Sequence, residues 1–297
     1  MSFNKKITLV KNKVLYNPIF HNKYFSLHDM RKISFFVSFR KCGRTWVQNT
    51  LVNYIVKVKG LIDEPLPFTL NFAKDYPKLK KVDRKITFHH DFYLPGINDK
   101  TKPNSFERSL FKSLPTIFLV RDPRDVLISF YHHHIDRALS HENIGKKWKI
   151  PSDMNKETFV YHEDLGIKPI IDYFNDLSNF NQRYAQKAVM FKYEDLSNDL
   201  KIDSFLNWRA MFSHLLQDKV DEVALEWAIK ANSFKKLKTR HESFVKDVEN
   251  RHPDVKGRIR KGRVGGHVKE FEEKELNFIN SYIEQNLDDF YSFYKSQ

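Results

Sequence analysis

The chain has 297 residues, of which 41% are hydrophobic and 14% aromatic, enough apolar material for one large domain over residues 1–297 with a buried core. The single cysteine, Cys42, excludes an intrachain disulfide and any multi-cysteine metal site. With no run near the ~18 apolar residues of a membrane span and a polar, lysine-bearing start, the expected location is cytoplasmic. The formal charge of +14 suits a polyanionic partner, whether nucleic acid, membrane surface or acidic small molecule.

Ile33 to Phe39 is a β-branched and aromatic run that ends in Arg40-Lys41-Cys42-Gly43-Arg44-Thr45, the pattern of a buried strand entering a tight loop. From Thr45 onward, Val47, Leu51, Tyr54, Ile55 and Val58 recur at three- and four-residue steps and predict a helix. The stretch from Leu61 to Asn104, interrupted by Pro65, Pro67, Pro77, Pro95 and Pro103, reads as mostly loops around a short strand at Ile86 to Phe88. Further strands are expected at Thr116 to Val120 and Ala188 to Phe191. Helical spacing covers Asp125 to His133, Pro169 to Tyr184, Asp221 to Lys238 and Glu270 to Tyr291. This alternation predicts a single-domain α/β fold, a parallel sheet flanked by helices, with a P-loop-like strand-loop-helix and ligands at the carboxyl ends of the strands.

Three segments carry charge suited to phosphate. In the first, Lys41 to Trp46, a turn before a helix points backbone N–H groups at one spot; Gly43 permits close approach, Thr45 offers a hydroxyl and Lys41 a full charge. It is not a Walker A loop, because the lysine precedes the only glycine. In the second, Arg121 follows a strand directly and Asp122-Pro123 suits a helix start, with Ser129 one turn into the helix. Arg124 and Asp125 could instead form a structural pair at that helix start. The third, Arg258 to His267, packs five basic positions and three glycines into a mobile, phosphate-seeking loop that would equally suit nucleic acid.

Together these segments resemble the sulfotransferases that use 3′-phosphoadenosine 5′-phosphosulfate, PAPS. Lys41 to Trp46 resembles their 5′-phosphosulfate loop, Arg121 to Tyr131 their 3′-phosphate segment, and Arg260-Lys261-Gly262 with Val264-Gly265 their C-terminal element. The resemblance implies that Lys41, Cys42, Gly43, Arg44, Thr45 and Trp46 surround the 5′-phosphosulfate and adenine. Arg121, Ser129, Arg260, Lys261 and Gly262 would hold the 3′-phosphate, with Tyr193, Ser233 and Phe234 beside the adenine. Cys42 and Arg44 replace small hydroxyl residues, and Gly266-His267 stands where Asp-Trp is usual.

The resemblance also places a catalytic base in Thr87-Phe88-His89-His90-Asp91. His90 fits best, with His89 as the competing assignment and Lys41 assisting charge on the leaving oxygen. Histidine suits proton transfer because its unperturbed pKa of ~6.5 lies near working pH. The run His132-His133-His134 with His141 does not suggest a metal site, since successive helical residues point roughly 100° apart. The implied donor is PAPS with no metal, and the acceptor a small molecule or glycan; Phe68, Phe72, Tyr76, Phe92 and Tyr93 suggest an aromatic cleft for it. A P-loop small-molecule kinase and a non-enzymatic nucleic-acid-binding protein are the rival readings.

Overall fold

The computed structural model describes residues 32–61, 63–68, 84–89, 111–135, 150–151, 153–184, 187–197, 201–248 and 259–295. Among these, four strands form one parallel sheet: β1 (Ile33–Ser38), β2 (Lys85–His89), β3 (Thr116–Val120) and β4 (Ala188–Lys192), in the order β2-β1-β3-β4. All residues of β1 and β3 are buried, so the two central strands are covered on both faces, as a parallel sheet requires. Parallel pairing brings every carboxyl end to the same edge. There the loop after β1 neighbours the segment after β3, and Val37 is opposite His89.

Helix α1 (Arg44–Val58) leaves that loop, and α2 (Pro123–Phe130) follows β3. Asp122 caps α2 by accepting from the Arg124 amide at 2.8 Å, and Pro123 occupies the first helical position, where its missing N–H costs nothing. A π-helical turn, Tyr131–Ile135, extends α2. The other helices are α3 (Lys156–Tyr161), α4 (Ile167–Tyr184), α5 (Tyr193–Ser197), α6 (Ile202–Leu216), α7 (Glu222–Ala231), α8 (Phe234–Val248) and α9 (Glu273–Asn286). Two 3₁₀ turns, Gly266–Lys269 and Asp289–Tyr294, flank α9. Helix α6 packs on β1 and β3, while α4 packs on β4, α2 and α9.

Several elements differ from the sequence expectation. The expected helix from Asp221 to Lys238 is two helices, broken where Asn232 leaves helical geometry and its carbonyl accepts from the Trp46 indole at 2.9 Å. Helices α3, α5 and α6 were not expected. In α6, Trp208, Met211, Phe212 and Leu215 nevertheless stand at helical spacing and are all buried. The Arg124 pair forms with Asp122, at 3.3 Å, rather than with Asp125. Arg124 is almost wholly buried and also donates to Asn280 on α9 and to the Tyr294 carbonyl, which docks the C-terminal elements onto α2. Among the described residues no helix is long and apolar enough to cross a membrane.

Candidate functional site

The loop between β1 and α1 turns through two left-handed residues, Lys41 at φ 72° and Gly43 at φ 102°. The second suits glycine; the first is strained for a lysine and is held by contacts, because Arg121 Nη1 donates to the Lys41 carbonyl at 3.3 Å. Gly43 caps α1 through its carbonyl, which accepts from the Trp46 and Val47 amides at 2.9 and 3.2 Å, and no side chain caps the first turn.

Arg121 begins the segment after β3 and is 8% exposed. Its guanidinium donates to three groups from different parts of the chain: the Lys41 carbonyl, Asp125 Oδ2 at 3.3 Å and the Arg263 carbonyl at 2.8 Å. It also lies over the Tyr193 ring, 4.4 Å from the centroid. Its Nε–H is buried with no hydrogen-bond partner among the described residues, as is that of Arg260. Tyr193 in turn donates to the Gly262 carbonyl at 3.1 Å and packs against Trp46.

The glycine-rich third segment is tied down in its described part, where a mobile loop was expected. Gly265 and His267 donate their backbone N–H groups to Asp125 at 3.0 and 3.1 Å, and His267 Nδ1 lies 2.9 Å from the same carboxylate. Burial alone would raise the Asp125 pKa, but hydrogen bonds from His267 and the charge of Arg121 hold it below the usual carboxylate range. His267 thus fills the place of the aromatic residue expected there with a ring that bonds to Asp125.

These segments enclose a cavity of about 520 Å³ at the carboxyl edge of the sheet. It is lined by Lys41, Gly43, Arg44, Thr45, Trp46, Arg121, Ser129, Tyr193, Phe234, Arg260, Lys261 and Gly262 among the residues expected from sequence. Two expected residues do not line it. The Cys42 side chain is fully buried in the core, where desolvation pushes its thiol well above the ordinary range and keeps it protonated. Ser233 sits at the α7–α8 break, with its carbonyl capping the Leu237 amide. Arg40, Asp125, His133, Ser197, Leu237 and Arg263 line the cavity without having been expected there. His133 and Leu237 were findable, because each lies one helical turn from an expected residue, Ser129 and Phe234 or its neighbour.

His89 ends β2 at the same sheet edge, while His90, His141, Phe72, Tyr76, Phe92, Tyr93 and Arg258 lie outside the described residues. Phe68 is buried against His241 and Phe244 of α8 and does not line the cavity. His132 and His133 diverge, the first toward Glu270 and the second into the cavity. Among the described residues no group of three or more His, Cys, Asp or Glu side chains is placed to hold a metal ion.

A family model described as a sulfotransferase domain matches residues 32–291. Among solved structures, retinol dehydratase in complex with androsterone and the inactive cofactor PAP aligns with TM-score 0.55 at 17% identity, covering 87% of this chain and 81% of that one. Mouse sulfotransferase SULT7A1 with PAP gives 0.53 at 18% identity, over 86% and 84%. Retinol dehydratase with retinol and PAP gives 0.55 at 18%, over 87% and 82%. At these identities the structural likeness is one of fold.

The geometry at Gly43 makes a direct prediction. A Cβ there would stand 2.7 Å from the Tyr193 ring, on a backbone that side chains rarely adopt. Gly43→Ala should cost more than about 1 kcal/mol in urea unfolding and weaken nucleotide binding in calorimetry, since the turn must reshape to relieve the contact. Wild-type stability and affinity in that variant would show that the turn is not constrained by Tyr193.

Proposed function

As the chain belongs to the sulfotransferase family, we propose that it is a single catalytic domain that transfers a sulfuryl group from PAPS to a hydroxyl or amine of a small-molecule or sugar acceptor in the cytoplasm. The observation that carries the reading is the pair of buried Nε–H groups of Arg121 and Arg260, which have no hydrogen-bond partner among the described residues, beside two glycine turns that line one cavity. Buried donors of this kind are costly unless a ligand accepts from them, and arginine forks match phosphate oxygens.

The residues fit the donor in two parts. Arg121, Ser129, Arg260, Lys261 and the Gly262 turn form a seat for the 3′-phosphate. Lys41, Arg44, Thr45 and the first N–H groups of α1 form a seat for the 5′-phosphosulfate, with Tyr193, Trp46 and Phe234 as the aromatic lining beside the adenine. Bound PAPS supplies the sulfuryl group and leaves as 3′-phosphoadenosine 5′-phosphate, PAP. In this mechanism His90 accepts the acceptor's proton as the new S–O bond forms. Lys41, Arg44 and the α1 amides hold the charge that develops on the bridging phosphate oxygen when the old S–O bond breaks. Catalysis is then positioning and electrostatics. The retinoid and steroid in the retinol dehydratase complexes make apolar alcohols the first acceptors to screen, followed by phenols, amines and sugars.

If the 3′-phosphate seat is used, PAPS should bind at least about 100-fold more tightly than adenosine 5′-phosphosulfate by calorimetry, because the truncated ligand offers the buried Nε–H groups of Arg121 and Arg260 no acceptor. Equal affinities would remove the assignment of Arg121, Ser129, Arg260 and Lys261. For the base, His90→Ala should leave PAPS affinity nearly unchanged and lower turnover by about 10²–10⁴-fold, with His89→Ala doing much less. The reverse pattern would make His89 the base, and full turnover in both variants would end the proton-transfer mechanism.

A further inference from the structure

Glu270 follows the segment assigned to the 3′-phosphate and does not line the cavity. It stands one layer behind it. Its Oε1 accepts from Arg260 Nη1 at 2.6 Å and from Lys261 Nζ, and its Oε2 lies 3.1 Å from His132 Nε2 on the π-helical turn. Its backbone carbonyl accepts from Lys156 Nζ at the start of α3. The side chain is 13% exposed. Burial disfavours its ionised form, yet the bonds from Lys261, Arg260 and His132 outweigh that and pull its pKa down to about 2. The carboxylate is therefore ionised at any working pH.

The consequence is mechanical as well as electrostatic. Bonding residue 260 to residue 270 closes the base of the glycine loop, while Gly265 and His267 anchor its middle to Asp125. Arg260 is held through Nη1 from behind, and its Nε–H is buried with no partner among the described residues. A long side chain on a glycine-bearing loop would otherwise lose much rotamer freedom when it met a ligand, and an anchor set in advance removes that loss from the binding step. If Glu270 competed with the ligand for these cations it would face the cavity, and it does not.

We propose that Glu270 is the positioning residue of the 3′-phosphate seat, orienting Arg260 and Lys261 from behind so that the protein discriminates 3′-phosphorylated adenine nucleotides from those lacking the 3′-phosphate. The inference rests on the assignment of that seat under the proposed function.

The test compares PAP with adenosine 5′-phosphate by calorimetry on the full chain. The wild type should prefer PAP strongly. Glu270→Gln, which keeps the shape but removes the charge, should weaken PAP by about tenfold and adenosine 5′-phosphate by less than about twofold, as expected for loosening charge-assisted bonds to one subsite. In steady state the loss should fall on KM for PAPS rather than on kcat, a split that general destabilisation would not produce. An unchanged preference in Glu270→Gln would overturn the proposal, and tighter PAP binding would show instead that Glu270 competes with the ligand. Should Glu270→Gln fail to fold, Glu270→Asp draws the carboxylate back by one methylene from Arg260 and His132. Its PAP preference should fall at least about threefold, and an undiminished preference would again overturn the proposal. A wild type that does not separate the two nucleotides would refute the 3′-phosphate seat itself, and this inference with it.

Discussion

The site is organised around the buried guanidinium of Arg121. It joins the Lys41 carbonyl in the loop after β1, Asp125 in the first turn of α2 and the Arg263 carbonyl in the glycine segment, and it lies over Tyr193 after β4. A charge at this depth persists only when most of its donors are met, and a planar fork with five of them can meet several partners at once. A lysine would supply the charge but not this set of directions. The left-handed Lys41 and the approach of Gly43 to the Tyr193 ring follow from the same convergence, since each brings its segment within reach of the arginine or of the ring beneath it.

Convergence of cations has its own cost. Arg40, Lys41, Arg44, Arg121, Arg260, Lys261 and Arg263 all line one cavity in a chain that already carries a formal charge of +14. Like charges at close quarters repel, more strongly where water is excluded. Two carboxylates offset this, Asp125 in the cavity wall and Glu270 behind it. Asp125 takes Arg121 and the amides of Gly265 and His267, while Glu270 takes Arg260, Lys261 and His132. Both have pKa values pulled below the ordinary carboxylate range, so the two anions are permanent parts of the fold. On the proposed reading a dianionic phosphate would complete an arrangement whose geometry is already set, which is the physical meaning of preorganisation here.

Much of this was legible in the sequence because it is local. Runs such as Thr116–Val120 announce buried strands by composition, Asp122-Pro123 marks a helix start, and the glycine and basic residues of the loops stand beside one another in the chain. What could not be read depends on partners far apart in sequence. Arg124 chose Asp122, Asn280 and the Tyr294 carbonyl over its neighbour Asp125, because Asp125 was claimed by His267, 142 positions away. The break at Asn232 falls on an Asn-Ser pair that favours caps, but its bond from Trp46, 186 positions earlier, has no sign in the local sequence. Cys42 shows the same limit at a single residue: the turn that presents the backbone of its neighbours to the cavity sends its own side chain into the core. Glu270 carries no motif and became visible only through Arg260, Lys261 and His132 gathered on it.

The most direct test of this account is a crystal structure of the full chain with PAP bound. It should show the 3′-phosphate accepting from the Nε–H groups of both Arg121 and Arg260, with the bonds from Arg121 to the Lys41 carbonyl, Asp125 and the Arg263 carbonyl retained. A 3′-phosphate bound elsewhere, with both Nε–H groups still unbonded, would contradict it.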